Sequence, residues 1–266
     1  MTKIAPSSVG VTQPSQWRQR RRLSQLILAL EAGISQKHLS FVESGRSIPS
    51  RDMVIRLSEA LDIPLRERNA MLLAAGYAPH YLARPLDAPS LVPARAAIDL
   101  VLKGHEPFPA LAIDRHWTMV AANAAVVALL GGVRDRKLLE PPVNVLRLSL
   151  HPDGLAPFIA NLTEWRHHLF IRLGHQIAAT ADGALITLQK ELQTYAVPNE
   201  DKGEAGLQAW GEVFVPMVLN MPFGTLSFFS ATTVFGTPTD ITLSEIDIEA
   251  FFPADEETRQ LLQRYP

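Results

Sequence analysis

The sequence predicts two folded domains, an all-α domain of five short helices followed by an α+β domain. Helix-starting and helix-ending residues recur at short intervals over residues 13–78, where no strand pattern occurs. Prolines then interrupt residues 79–93, and residues 94–266 combine helical segments with β-branched and aromatic runs. We therefore expect a disordered tail at 1–12, a helical domain at 13–78, a Pro-rich linker at 79–93 and an α+β domain at 94–266.

The composition is that of a folded protein without thiol chemistry. Of the 266 residues, 47% are hydrophobic and none is cysteine, which excludes disulfides, thiolate metal sites and cysteine catalysis. The N-terminal segment lacks the apolar core of a secretory signal, and no apolar run reaches the length of about 18 residues that spans a membrane. We expect a cytoplasmic protein with no membrane partner.

Charge is distributed unevenly along the chain. Residues 15–84 contain eleven Lys or Arg and six Asp or Glu, a net charge of +5, whereas the whole chain carries −2. A basic module joined to an acidic one is typical of a nucleic-acid-binding domain fused to a second domain. An excess of positive charge of this modest size also arises by chance, so charge alone does not show that the first domain binds nucleic acid.

The first domain is predicted from its helix caps. Ser24 precedes a helix over 25–32, and Ser35 precedes the next helix, which ends at 44–45. Gly33 lies between them and is able to take the left-handed conformation that ends a helix. Comparable signals place further helices after residues 14, 50 and 64.

The second and third helices carry the functional signal. A short turn centred on Gly33 joins them, which is the arrangement of a helix-turn-helix, whose second helix enters the DNA major groove. In the third helix Leu39 and Val42 face inward. The polar side chains that face outward and can meet base edges are Gln36, Lys37 and Ser40. Phe41 also faces outward, where it either contacts a thymine methyl or packs.

A resemblance to the Xre-type helix-turn-helix domain of phage-repressor-like regulators is carried by residues 23–77, LSQLILALEAGISQKHLSFVESGRSIPSRDMVIRLSEALDIPLRERNAMLLAAGY. It implies phosphate or flanking-base contacts for Gln25 and Arg46. It also implies an ion pair between Arg18 and Glu43 that ties the first helix to the end of the third. The DNA-binding set that follows is Gln25, Ser35, Gln36, Lys37, Ser40, Phe41 and Arg46.

Leu26 and Ile27 depart from the family pattern, which has acidic or polar residues at these positions. Apolar side chains there indicate an additional contact. Its partner is either the rest of this chain or a second subunit.

The second domain is predicted as helices flanked by strands. The expected elements are a helix over 95–103, strands over 109–114 and 117–121, a helix over 123–130 capped by Asn123, and helices over much of 144–173 and 183–195. Two or three further strands are predicted from the β-branched and aromatic run EVFVPMVLNMPFGTLSFFSATTVFGTP.

Three blocks of this domain resemble, in the expected order, the MmyB-like ligand-binding domain, a PAS-like fold fused to Xre-type domains. They are AIDRHWTMVAANAAVVALLGG, LRLSLHPDGLAPFIANLTEWRHHLFIRL and FFSATTVFGTPTDITLSEIDIEAFFPADEETRQLL. The resemblance implies a sensor of apolar small molecules, with fatty acid as one type of occupant. No other cofactor is implied.

A cavity of such a domain is expected to be mostly apolar with a few polar anchors. The predicted lining is Trp117, Phe158, Trp165, Leu169, Phe170, Leu173, Phe214 and Phe228. Aromatic residues also form solid core, so only part of this set is expected to meet a ligand. Arg166, Arg172 and His168 are either anchors for a carboxylate headgroup or solvated side chains.

Metal and catalytic sites are not expected. His168 and His175 lie on one face of a helix, but few carboxylates are near them in the sequence. No serine and lysine occur in the context of a self-cleaving repressor, and the GxSxG, HExxH and P-loop motifs are absent.

Together these patterns predict a ligand-responsive transcriptional regulator. The first domain would bind double-stranded operator DNA as a homodimer, and the second would bind a small apolar, fatty-acid-like ligand that modulates DNA binding. One alternative makes the second domain a ligand-free dimerisation or protein-docking module. Another is a DNA-tethered hydrolase, which the missing motifs disfavour.

Overall fold

The computed structural model describes residues 14–196, 215–236, 238 and 240–264. The chain divides into two compact units. One contains residues up to 84 together with 239–241, and the other contains residues 85–238 and 242–266. Phe214 and the expected N-terminal tail lie outside the described residues. In the described part, no helix has the length and apolar character needed to cross a membrane.

In its described residues, the first unit contains five α-helices, as predicted. They are α1 (Pro14–Arg20), α2 (Gln25–Glu31), α3 (Gln36–Glu43), α4 (Arg51–Ala60) and α5 (Leu65–Ala74). Ser24, Ser35 and Ser50 are the N-caps of α2, α3 and α4, and each side chain accepts a hydrogen bond from the third backbone N–H of its helix.

The turn between α2 and α3 is shaped by Gly33, whose φ of +63° is left-handed. The next N–H, of Ile34, donates to the carbonyl of Ala29 over 2.9 Å and closes the end of α2. The two helices pack through a core in which Leu28, Leu39 and Leu57 are fully buried. The turn and this core fix the direction in which α3 projects.

After residue 84, the described part of the chain contains seven α-helices and five strands. The helices are α6 (Val92–Gly104), α7 (Ala124–Leu129), α8 (Val145–Leu150), α9 (Leu162–Thr180), α10 (Gly183–Gln193), α11 (Ile241–Ser244) and α12 (Glu256–Arg264). The strands are β1 (Ala110–Ile113), β2 (Met119–Ala122), β3 (Met217–Met221), β4 (Gly224–Val234) and β5 (Asp247–Pro253).

All five strands form one antiparallel sheet in the order β2-β1-β5-β4-β3. Side chains alternate between its faces, and both faces are covered. On one face, Leu111 and Leu219 join a large core with α7–α10, whereas on the other face Ala110 and Ile248 pack against α6. The predicted α+β class is confirmed.

Three expectations about elements need correction. The central strand β5 was not predicted, although it pairs with β1 on one side and β4 on the other. The helix expected from residue 95 begins at Val92, inside the expected linker, because Pro93 is tolerated in a first helical turn. Trp117, expected in a strand, has a left-handed φ of +64° and belongs to the turn before β2.

Candidate functional site

Helix α3 divides its side chains between the core and solvent. Leu39 and Val42 are buried, whereas Gln36 and Lys37 are exposed on the opposite side. Ser40 is half-buried. The exposed face therefore carries amide, ammonium and hydroxyl groups in one turn and a half of helix, which are the groups that pair with base edges in the major groove.

Phe41 and Arg46 lie at the far end of this surface. The Phe41 ring is half-buried, and the Lys37 Nζ lies 5.8 Å from its centroid, so the ring packs under the lysine chain. Arg46 is exposed just beyond α3. The side chain of Ser35 caps α3 by accepting a hydrogen bond from the His38 N–H. Ser35 itself is exposed at the start of the helix, where its backbone is accessible.

The C-terminal end of α3 is held in place by a cluster of three side chains. Arg18 donates to both carboxylate oxygens of Glu43, over 2.7 and 2.9 Å, and Gln25 donates to Glu43 over 2.7 Å. Burial alone would raise the pKa of Glu43, but the bonds from Arg18 and Gln25 outweigh it and lower that pKa. The cluster joins α1, α2 and α3: the expected Arg18–Glu43 ion pair is present, and Gln25 supports it with a hydrogen bond to Glu43.

A cavity of about 100 Å³ lies in the second unit between the sheet and the helices around it. Its walls come from the turn before β2, from α7–α9 and from strands β1, β2, β3 and β5. The lining is almost wholly apolar. The lining residues are Pro109, Leu111, Trp117, Met119, Val126, Leu129, Leu130, Val145, Leu146, Leu148, Ser149, Leu155, Trp165, Leu169, Arg172, Met217, Leu219, Glu249 and Phe251.

The structure brings only part of the predicted lining to this cavity. Trp117, Trp165 and Leu169 lie in its wall. Four other predicted residues lie in or against the surrounding core and not in the cavity wall. They are Phe158, Phe170, Leu173 and Phe228. Phe228 and Leu173, which are 0% and 1% exposed, belong to the core cluster around the cavity.

Trp117 reaches the cavity because of the turn that holds it. The Asp114 carboxylate accepts hydrogen bonds from the backbone N–H groups of His116 and Thr118, over 2.8 and 2.9 Å. The indole N–H of Trp117 donates to Gln176 on α9 over 2.8 Å. A non-glycine residue with positive φ is uncommon, and here it places an indole ring at a cavity wall.

The polar part of the wall is an ion pair. Arg172 on α9 makes two bonds to Glu249 on β5, one of them 3.3 Å long, and its guanidinium lies 5.0 Å from the centre of the Trp117 ring. Thr232 on β4 donates to the same carboxylate over 2.9 Å. The Ser149 hydroxyl, also in the wall, accepts from the Trp165 indole over 3.1 Å.

Of the three predicted headgroup anchors, Arg172 alone belongs to the cavity wall. Arg166 donates to the Tyr195 carbonyl over 3.2 Å and lies over the Phe170 ring. His168 stacks on Trp165, and burial, with the nearby Arg172 charge, lowers its pKa. A neutral imidazole is a poor partner for a carboxylate, so His168 contributes little charge to this region.

The sequence did not reveal Glu249 and Ser149 as cavity residues. Glu249 is 4% exposed and lies opposite Leu111 and Thr232 in the sheet register. In a strand with the sequence DIEAF, Glu249 and Phe251 lie on the same face, which would have placed Glu249 at the cavity. This inference requires that the segment be recognised as a strand, and β5 was not predicted. Within the described ranges, no group of three His, Cys, Asp or Glu is arranged to hold a metal ion.

Two family models match the chain. The helix-turn-helix model matches residues 15–68, which contain the turn at Gly33 and the exposed face of α3. The model of the MmyB-like transcription regulator ligand binding domain matches residues 94–264, which contain the sheet and the cavity. No curated protein matches the chain. Both resemblances predicted from the sequence are confirmed by these matches.

Proposed function

The chain belongs to the family of transcription regulators with an MmyB-like ligand binding domain, and from this premise we propose that a small apolar molecule in the second unit controls DNA binding by the first. The observation that carries the proposal is the almost wholly apolar cavity inside the matched ligand-binding domain. A ligand changes DNA affinity only if it binds the DNA-competent and incompetent states unequally.

The proposed DNA-binding surface is the exposed face of α3 and its flanks. Gln36, Lys37 and Ser40 would read bases, while Arg46 and Ser35 would meet the backbone. The proposal for Gln25 is modified by its bond to Glu43, since the amide then supports α3 and has less freedom to reach a phosphate. Phe41 packs under Lys37 and would contact DNA only at its outer edge.

We propose a homodimer on a two-fold symmetric operator, with half-sites about one turn, 10–10.5 bp, apart. Light scattering of the purified protein should then give about twice the chain mass of 29.3 kDa. Insertion of five base pairs between half-sites should abolish tight binding, because the second half-site then faces the opposite side of the duplex. A monomer that binds both operators equally would contradict this part of the proposal.

The proposed ligand is fatty-acid-like, an aliphatic chain with one polar head. A cavity of about 100 Å³ holds a short chain, and a longer one requires the walls to part. We propose no enzymatic activity, since both matched families are regulatory. A cytoplasmic location fits the same role.

A second candidate is a ligand-free dimerisation or docking role for the second unit. It is favoured by one observation, the small size of the cavity compared with the about 300–1,000 Å³ of typical ligand sites. Under this candidate the aromatic residues around the cavity act only as core.

Mass spectrometry of an organic extract of the purified protein separates the two candidates. The control is Val126→Phe, which places a ring in the cavity from the buried wall position on α7. A stoichiometric aliphatic compound in the wild-type extract, absent from the control, supports the ligand-binding role. Identical extracts, together with no binding of aliphatic probes, would support the ligand-free module. Circular dichroism checks that the control is folded.

A further inference from the structure

A short segment from the second half of the sequence belongs to the first structural unit. That unit contains the residues up to 84 together with residues 239–241. In the chain, these three residues lie between β4, which ends at Val234, and β5, which begins at Asp247. The connection between two strands of the sheet therefore contributes residues to the helix-turn-helix unit.

Two bonds hold this connection to the last residues of the first unit. The Arg84 guanidinium donates to the Asp240 carboxylate over 2.8 Å, and the Ile241 N–H donates to the Leu82 carbonyl over 2.7 Å. We call these two bonds the clasp. Asp240 is 3% exposed, and removal of the cation from a buried carboxylate is strongly destabilising. The clasp is therefore a firm attachment.

The chain next to the clasp is bonded to α5 and α4. The Asn69 side chain on α5 accepts from the N–H groups of His80 and Tyr81 over 2.8 and 3.0 Å, and it donates to the Tyr81 carbonyl over 2.7 Å. The His80 ring lies 2.8 Å from the guanidinium of Arg51, the first residue of α4. This part of the segment expected as a linker is thus held to the helices.

We propose that the clasp transmits occupancy of the cavity to the helix-turn-helix unit, with Arg84 and Asp240 as positioning residues. This inference rests on the proposed function and specifies how that function is regulated. A ligand that parts the cavity walls displaces β5, because Glu249 and Phe251 line the cavity. The displacement moves the connection that precedes β5, and the clasp passes it to the first unit.

The helices that receive this displacement are the ones that support α3. The first unit has a single large core, in which Leu57 of α4 and Met71 of α5 are buried in the same cluster as Leu39 of α3. A shift of α4 and α5 therefore changes the support of the surface proposed to read DNA. Coupling of this kind requires contiguous contacts between the two sites.

The clasp is effective because its bonds resist separation. The Arg84–Asp240 bond is charge-assisted, and its carboxylate is buried, so a pull on the connection moves the chain around Arg84 before it breaks the pair. A connection without such bonds would absorb the same displacement by rotation of its own backbone. Loss of the pair should therefore uncouple the ligand from DNA affinity and leave both binding surfaces in place.

The test measures how the full-length protein changes its DNA affinity when hexanoate, a short fatty acid, is added. The DNA is an operator fragment selected from random sequence with the wild-type protein, and fluorescence anisotropy is the readout. Hexanoate should change the affinity of the wild-type protein by at least about fivefold and that of Arg84→Ala by less than about twofold. Isothermal titration calorimetry should show that Arg84→Ala still binds hexanoate.

Two further variants separate the role of the clasp from a general effect of losing an ion pair. Arg84→Lys keeps the positive charge and should retain most of the response to hexanoate. Arg259→Ala removes an exposed ion pair with Glu256 on α12 and should respond as the wild-type protein does. A full response in Arg84→Ala would overturn the inference and leave the proposed function standing. Failure of hexanoate to bind the wild-type protein, or to change its DNA affinity, would overturn both.

Hydrogen exchange of the wild-type protein decides the matter if Arg84→Ala does not fold. The amides to follow are those of Ile241 and Tyr81, which donate to Leu82 and Asn69. Hexanoate should change the exchange rate of at least one of them by about fivefold or more, because the bonds of the clasp and its attachment are loaded when β5 moves. Unchanged exchange at both amides in protein that binds hexanoate would overturn the inference.

Discussion

At the scale of single residues, α3 combines a buried side with an exposed polar side. Gln36 and Lys37 are exposed, one turn from the buried Leu39. Apart from the distant contact of Lys37 with Phe41, the described structure gives them no role in packing. Their side chains are therefore free to contribute to sequence readout.

Replacement of these side chains should weaken specific binding more than general binding. Gln36→Ala or Lys37→Ala should each cost about 1–3 kcal/mol on the operator and little on random DNA, because a lost base contact matters only at the correct base. Fluorescence anisotropy with both DNAs measures the difference. Arg46→Ala is the matched control, and it should weaken binding to the operator and to random DNA equally. Equal losses on the two DNAs for Gln36→Ala would show that Gln36 contacts phosphate only.

Asp247 provides a prediction about pH. It lies on β5, two residues from Glu249, and burial followed by the Glu249 charge raises its pKa, which Arg172 only partly offsets. A carboxyl group with a folded pKa above its ordinary value of 3.8 binds its proton more tightly in the folded state. Its contribution to stability is therefore present below that value and is lost as pH rises through the folded pKa.

Asp247→Asn should consequently raise the melting temperature at pH 7.5, and the gain should shrink as the pH falls toward 4. Thermal unfolding followed by circular dichroism across this range gives the measurement. Asp99→Asn, at an exposed position on α6, serves as the control and should change little. A gain in melting temperature for Asp247→Asn that stays constant with pH would contradict the raised pKa of Asp247.

The role of a single residue could be predicted only where the residue belongs to a recognised sequence motif. The Arg18–Glu43 bond was expected from the family resemblance, and the bond is present. The Arg172–Glu249 bond joins residues 77 positions apart through α9 and β5, and no local pattern relates them. Long-range pairs of this kind depend on the sheet register, which the sequence does not display.

At the scale of elements, α2 carries an apolar surface that its own unit does not cover. Leu26 is 62% exposed, Ile27 is 46% exposed and Leu30 is 80% exposed. Leu26 and Leu30 are four residues apart and so lie on one face of the helix. Exposed apolar groups that cluster in this way are typical of an interaction surface.

Leu26→Gln combined with Ile27→Gln should leave DNA binding intact and remove its response to ligand. The reason is that we expect the response to ligand to depend on the apolar surface of α2, whereas the side chains proposed to contact DNA lie on α3. Anisotropy titrations with and without ligand provide the readout. Leu73→Gln, which alters an exposed leucine on α5, should keep the response. A full response in the α2 variant would refute this route.

Elements with local start and stop signals were predictable, and elements defined by distant pairing were not. Ser24, Ser35 and Ser50 gave the starts of α2, α3 and α4, because a capping side chain bonds within its own helix. Strand β5 was missed because its DIEAFFP segment contains two acids and a proline, which weaken a strand signal. Its pairing with β1 and β4 supplies the missing stabilisation.

At the scale of the whole molecule, the chain joins a helix-turn-helix to a ligand-binding domain. The order of the two domains and their classes followed from the sequence, because the change from capped helices to β-branched runs is visible over tens of residues. The cavity volume and the pairing of its polar wall did not follow, since both depend on side chains that distant helices and strands bring together in space.

The central claim is that occupancy of the cavity changes DNA affinity. Its most direct test is the operator affinity of the delipidated protein with and without the compound extracted from it, measured by anisotropy at fixed salt. We expect a change of about 5–150-fold in the wild-type protein and none in Val126→Phe. The same affinity in both states of the wild-type protein would contradict the account.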